Sequence, residues 1–202
     1  MKARRPSLDF SRAPAGWIPD APGYAYQLDA ASTMLPYLEP YLIKVQKLAR
    51  EQLDPDRHAE LIRDIDVFNH QEANHFRLHA KYNEALRGHY PGLEAFEAEV
   101  KADFDSFLRD RSLAWNLAYC EGFECMGLVG AEFFFGPAEP FLRTADRAPR
   151  DLWACISRKN SSTAASATTC STRSIPGLST AFEVISLSCP IFSASAIASP
   201  CT

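Results

Sequence analysis

The chain has 202 residues, 47% of them hydrophobic and 23% charged, with a formal net charge of −4, which suits one globular domain with or without a tail. The acidic balance and the lack of a basic stripe argue against a nucleic-acid partner, and no apolar run is long enough to span a bilayer. The basic start, MKARRPSLDF, lacks the apolar core of a signal peptide, so the cytoplasm is the expected compartment.

Residues 1–30 hold Pro6, Pro14, Pro19 and Pro22 with Gly16 and Gly23. They read as an extended arm wrapped on the domain, anchored by Trp17 and by Tyr24 or Tyr26. Residues 31–153 read as a helical-bundle, metal-binding domain. Asp29 or Ser32 is expected to cap a first helix running to about Leu53, with Pro36 in its first turn and Pro40 starting the regular helix or kinking it. Asp54-Pro55-Asp56 reads as a turn with a capping aspartate. The second helix, about Pro55 to Arg87, has the clearest pattern: Leu61, Ile65, Phe68, Glu72, His75, His79, Tyr82 and Leu86 are spaced 4, 3, 4, 3, 4, 3 and 4, one inward stripe. Gly88 ends it. A third helix is expected over about Leu93 to Leu108. A fourth covers about Ser112 to Phe135, with Leu113, Leu117, Cys120, Glu124, Ala131 and Phe134 on its stripe. Pro149 opens a further helix that a change of composition cuts off after Trp153.

Only four charged residues, Arg158, Lys159, Arg173 and Glu183, fall in 154–202. The rest is rich in Ser, Thr, Ala and Cys, without helical or strand periodicity over its first half. No two of the six cysteines have C-x-x-C spacing. Cys120 and Cys125 read as small core residues, and the other four belong to this segment. The segment is read as an out-of-frame, disordered tail. Joining the last base of each codon to the first two of the next leaves only His or Tyr at Cys155-Ile156 and only Glu or Lys at Lys159-Asn160. The hidden frame from Trp153 can then read G-L-H-x-A-E-E-F-E-H-R, a charged, helix-forming sequence. On this reading the C-terminal helix of the bundle is lost.

Glu72, His75 and His79 occupy core positions of the second helix. A carboxylate and two imidazoles buried there cost several kcal/mol unless they are paired or bind metal. Glu-x-x-His puts both side chains on one helical face, about 60° apart, the spacing with which four-helix bundles hold two metal ions. Such a site needs a further carboxylate from each of two other helices. Glu124 is the best placed on the fourth helix, with Glu121 and Glu132 one face away, and Glu39, flanked by Leu38 and Leu42, on the first. The metal candidates are therefore Glu39, Glu72, His75 and Glu124, with His79 either a ligand or a histidine behind the ligands. The remaining requirement is a second E-x-x-H, which the visible chain lacks and the shifted frame permits as E-F-E-H.

The run Phe68-Asn69-His70-Gln71-Glu72-Ala73-Asn74-His75, followed by His79, Lys81, Tyr82 and Asn83, resembles the bacterial predicted metal-dependent hydrolases, whose pattern is similar to F-x-x-Q-E-x-x-H-x-x-x-H-x-x-Y-N. The resemblance extends around Glu39 and Glu124 and covers about residues 30–153. Family members continue with L-W-x-W-H-x-x-E-E-x-E-H, and this chain departs just after Asp151-Leu152-Trp153. The resemblance implies an all-α, ferritin-like or haem-oxygenase-like bundle in which Glu39, Glu72, His75 and Glu124 ligate metal. The expected function is a metal-dependent hydrolase, impaired here by the C-terminal frameshift. A di-iron oxidase or oxygenase and a non-catalytic metal-binding helical protein are the alternatives. Iron or manganese suits the donor set, with zinc as a third candidate. A small-molecule substrate and a homo-oligomer are the expected partners.

Overall fold

The computed structural model describes residues 8–157. Among the described residues, helices are the only regular structure. They are α1 (Pro22–Arg50), α2 (Ala59–Arg87), α3 (Leu93–Asp110), α4 (Leu113–Phe135), α5 (Glu139–Leu142) and α6 (147–157). The all-α expectation holds. Several boundaries differ: α1 ends at Arg50 rather than about Leu53, and α2 starts at Ala59 rather than about Pro55. The arm ends at residue 21, because Pro22 sits in the first turn of α1, where its missing N–H breaks no helical bond and its fixed φ is already helical. Asp29 and Ser32, expected as caps, lie within that helix and are 3% and 0% exposed. The short α5 had no periodic signal.

Helix ends elsewhere follow local chemistry. The Asp54 carboxylate accepts the backbone N–H of Asp56 and of Arg57, closing the turn before α2. Ser112 caps α4, its Oγ accepting from the Trp115 N–H, one of the donors a helix N-terminus leaves over. α6 runs through Ala154, Cys155, Ile156 and Ser157, so the first four residues of the segment read as a tail continue this helix. Residues 158–202, which hold the rest of that expected tail, lie outside the described residues. No helix among the described residues is long and apolar enough to cross a membrane.

α1 and α2 run antiparallel, and their facing side chains pair in register. Asp29 meets Tyr82, Ser32 meets His79, and Glu39 meets Glu72 and His75. Each step forward along α1 is matched by an equal step back along α2. Pro36 lies in the middle of this seam, and α1 continues through both it and Pro40. Proline lacks the N–H that would bond the carbonyl four residues back. That carbonyl belongs to Ser32, and the Asn83 Nδ2 amide donates to it instead at 3.1 Å.

The apolar core lies on the other sides of α1. Leu35, Leu38, Tyr41, Leu42 and Val45 pack with Val100 and Phe104 of α3, Cys120 and Phe134 of α4, and Trp153 of α6. A second cluster joins Phe10 and Ala13 of the arm to Tyr82 and Leu86 of α2 and to Leu152 and Ile156 of α6. Arm and α6 thus close over α2. Of the expected anchors, Trp17 is buried, Tyr24 is half-buried against Phe133 and Tyr26 is exposed.

Trp17 is fixed by its indole N–H, which donates to Asp29 Oδ1 at 2.9 Å. The same oxygen accepts from Tyr82 OH at 2.6 Å, and Oδ2 accepts from Tyr90 OH at 3.0 Å. Burial raises the Asp29 pKa above its ordinary 3.8, although the Tyr82, Trp17 and Tyr90 hydrogen bonds pull it part of the way back. The folded chain therefore holds this proton more tightly than the unfolded chain. Its contribution to stability falls as pH rises from 3.8 to the raised value, and is constant above that. Asp29→Asn keeps the shape and removes the titration. Urea midpoints measured from acid to neutral pH should show wild type losing stability relative to Asp29→Asn as pH rises, with the difference levelling off above the folded pKa.

Candidate metal centre

The α1–α2 register delivers Glu39 of α1 to the E-x-x-H turn of α2. Glu39, Glu72 and His75 are 3%, 1% and 7% exposed. One oxygen of each carboxylate and one imidazole nitrogen lie within 4.8 Å of one another. Ligand atoms bonded to one ion at about 2.1 Å stand at most about 4.2 Å apart, so a small side-chain shift closes the group on a cation. His75 Nδ1 stands 3.7 Å from Glu72 Oε2, too far for a hydrogen bond, and is buried with no hydrogen-bond partner. Two carboxylates and an imidazole taken out of water cost several kcal/mol per ion unless a countercharge joins them. Oxygen and imidazole donors together suit a divalent cation. The residues present therefore fit the metal that the sequence led us to expect.

The other two candidates lie outside this group. Glu124 is half-buried on α4, one turn from Cys120. Burial pushes the Cys120 thiol up to about 12, and the Glu124 charge adds to the rise. Glu121, on the same helix, also has its pKa raised by burial. His79 follows His75 by one turn of α2 and is 0% exposed. Burial first, and then the neighbouring His75, push its pKa down to about 3, so it is neutral near pH 7. Its Nδ1 stands 2.8 Å from Ser32 Oγ, and its Nε2 is buried with no hydrogen-bond partner. The Trp153 ring packs against it edge-on, with centroids 5.2 Å apart.

Behind His79 runs a polar chain that the sequence reading missed. Ser32 Oγ meets Asn83 Oδ1 at 2.8 Å, Asn83 Nδ2 donates to Glu97 Oε1 at 3.1 Å, and Arg87 donates to Glu97 Oε2. Glu97 is 2% exposed. A signal for it existed: Leu93, Glu97, Val100, Phe104 and Phe107 repeat the 4, 3, 4, 3 spacing of α2, which puts Glu97 on the inward face of α3.

A family model described as predicted metal-dependent hydrolase matches residues 2–155. No curated protein and no solved structure matches the chain.

The cost of holding Glu39 and Glu72 together gives a prediction with two opposite signs. Glu72→Gln removes one buried charge and should stabilise the metal-free chain by about 1 kcal/mol, the usual gain when a functional site is relieved. The same change should weaken Zn²⁺ or Mn²⁺ binding at least tenfold. Thermal denaturation without metal and calorimetric titration with it check the two halves. Loss of stability in the metal-free variant would show that Glu72 serves packing rather than ligation.

Proposed function

The chain belongs to the family of predicted metal-dependent hydrolases, and from that premise we propose a hydrolase of small molecules in which Glu39, Glu72 and His75 hold a divalent cation at the α1–α2 seam. The convergence of these three donors within 4.8 Å is the observation that carries the reading. A divalent ion bound there supplies Lewis acidity and lowers the pKa of water, making a nucleophile near neutral pH. Glu39 and Glu72 balance the charge of the ion and, as buried groups, exclude competing solvent. Glu124, half-buried on α4, is the carboxylate for a second ion, with His79 beside it. The site is then dinuclear in a ferritin-like bundle, and iron or manganese suits its carboxylate-rich donors.

A complete two-metal site of this kind uses four carboxylates and two histidines. The second E-x-x-H would come from the helix that follows Trp153. Three features support a frameshift at this place: the loss of charge after Trp153, the permitted E-F-E-H in the shifted frame, and a family match that ends at residue 155. On this reading the chain as written is impaired.

One observation favours a second reading. The three donors are nearly inaccessible, and neither the cleft beside Arg87, Tyr90 and Leu93 nor the one beside Lys44 and Leu108 is lined by any of them. A metal-holding protein needs no substrate pocket, whereas an enzyme does.

Metal analysis of the chain and of a version repaired by one base near the Trp153 codon tests the proposal. The chain as written should bind at most one ion tightly and be nearly inactive. The repaired chain should approach two ions and hydrolyse members of an ester and phosphoester panel. Oxygen consumption by the iron-loaded repaired chain, without hydrolysis, would replace the hydrolase with an oxidase. Two ions and full turnover in the unrepaired chain would overturn the frameshift reading.

A further inference from the structure

The hydrogen bonds around Ser32 settle which nitrogen of His79 carries the proton. Asn83 Nδ2 faces two acceptors, the Ser32 carbonyl and Glu97 Oε1, both at 3.1 Å. The Ser32 carbonyl can only accept, and Glu97 already accepts from Arg87, whose nitrogens lie 2.9 and 2.7 Å from Oε2. The amide of Asn83 is therefore fixed with its NH₂ toward these acceptors and its Oδ1 toward Ser32. Oδ1 only accepts, so the single hydroxyl proton of Ser32 goes to it at 2.8 Å. Ser32 Oγ then has only a lone pair for His79 Nδ1, also at 2.8 Å, and Nδ1 must donate. The proton of the neutral ring sits on Nδ1, and Nε2 keeps a bare lone pair. That Nε2 is wholly buried and has no hydrogen-bond partner.

A buried lone pair with no donor is costly, and a histidine with one nitrogen held by a second residue is how metal sites fix a ligand ring. We propose that the chain Arg87–Glu97–Asn83–Ser32 locks His79 as the Nδ1–H tautomer and so holds its Nε2 ready as a ligand for a divalent cation at the α1–α2 seam, one helical turn along α2 from His75. Ser32 is the positioning residue, acting through His79. The device also uses Pro36: by leaving the Ser32 carbonyl without its helical donor, it supplies one of the two acceptors that orient Asn83. The inference rests on the metal-binding reading of the seam, but its first half is independent of any ion.

The test uses the full chain labelled with ¹⁵N and free of metal. Long-range proton–nitrogen correlations across each imidazole distinguish the nitrogen that carries hydrogen from the bare one, and His79→Gln identifies the His79 signals. Wild type should show the Nδ1–H form at His79. Ser32→Ala should lose this single tautomer. On addition of Zn²⁺, the bare Nε2 signal of His79 should move together with the ring signals of His75, and the affinity should be about tenfold or more weaker in Ser32→Ala, the usual scale for removing a partner behind a ligand. An Nε2–H form in wild type overturns the proposal without any variant, and so does a Ser32→Ala chain that keeps both the tautomer and the affinity. If Zn²⁺ moves His75 but not His79, the ligand role of His79 falls and the metal site stands. If neither ring responds, the metal reading falls with it. A signal at Nε2 that moves in Trp153→Phe but not with Zn²⁺ assigns the lone pair to the indole N–H and overturns the ligand role.

Discussion

Two carboxylates from facing helices share one buried space, and this constrains the α1–α2 seam. Glu39 and Glu72 are each at most 3% exposed, where an uncompensated charge costs several kcal/mol. Hydrophobic burial cannot offset that cost at the point where it arises. In the proposed function it is met locally, by a cation that Glu39, Glu72 and His75 hold together. The surroundings hold the pair in place: the Leu38–Leu42–Val45 face of α1 binds α3, α4 and α6, while the arm and α6 close over α2. Neither helix can turn its carboxylate toward water without opening an apolar cluster.

The same seam carries two further polar stations, each solved differently. At one end Asp29 gathers three donors, from Trp17, Tyr82 and Tyr90, which ties the arm and the α2–α3 connection to α1. In the middle, Ser32 and Asn83 exchange hydrogen bonds between side chains and backbone, and Glu97 with Arg87 completes the chain toward the surface. Both stations satisfy their polar groups almost completely. Nδ1 of His75 and Nε2 of His79 are buried without a hydrogen-bond partner. In a folded chain where buried polar atoms normally find partners, that contrast within one seam is what separates structural polarity from chemical readiness.

The prolines of α1 show how local and tertiary demands combine. Inside a helix a proline ordinarily costs a hydrogen bond and about 3 kcal/mol. At Pro36 the freed carbonyl is put to use by Asn83, so part of the loss is recovered as a contact between helices. A sequence reading that moves Pro36 to a helix start follows the propensity correctly and still misplaces the start of α1. The helix begins at Pro22, because its tertiary contacts outweigh the local penalty.

The sequence by itself determined the helical class and the C-terminal end of α2 at Arg87, and it singled out Glu39, Glu72 and His75, which the structure brings together. Their legibility has a physical reason: charged residues at 3.6-residue spacing among apolar ones must be buried, and buried charges need a purpose. Leu61 to Leu86 on α2 stated this plainly. α4 did not, because a helix apolar on most sides gives no preferred face, and Glu124 stayed outside the three-donor group. Asp29 and Ser32 carry a cap signal, because a short polar side chain near a proline usually marks a helix start. Only the tertiary structure decided that they are interior, which residue of α2 each one meets, and which nitrogen of His79 is left bare. Those outcomes depend on the register of two helices packed side by side, and register is fixed by contacts between segments some fifty residues apart, beyond the reach of any local pattern.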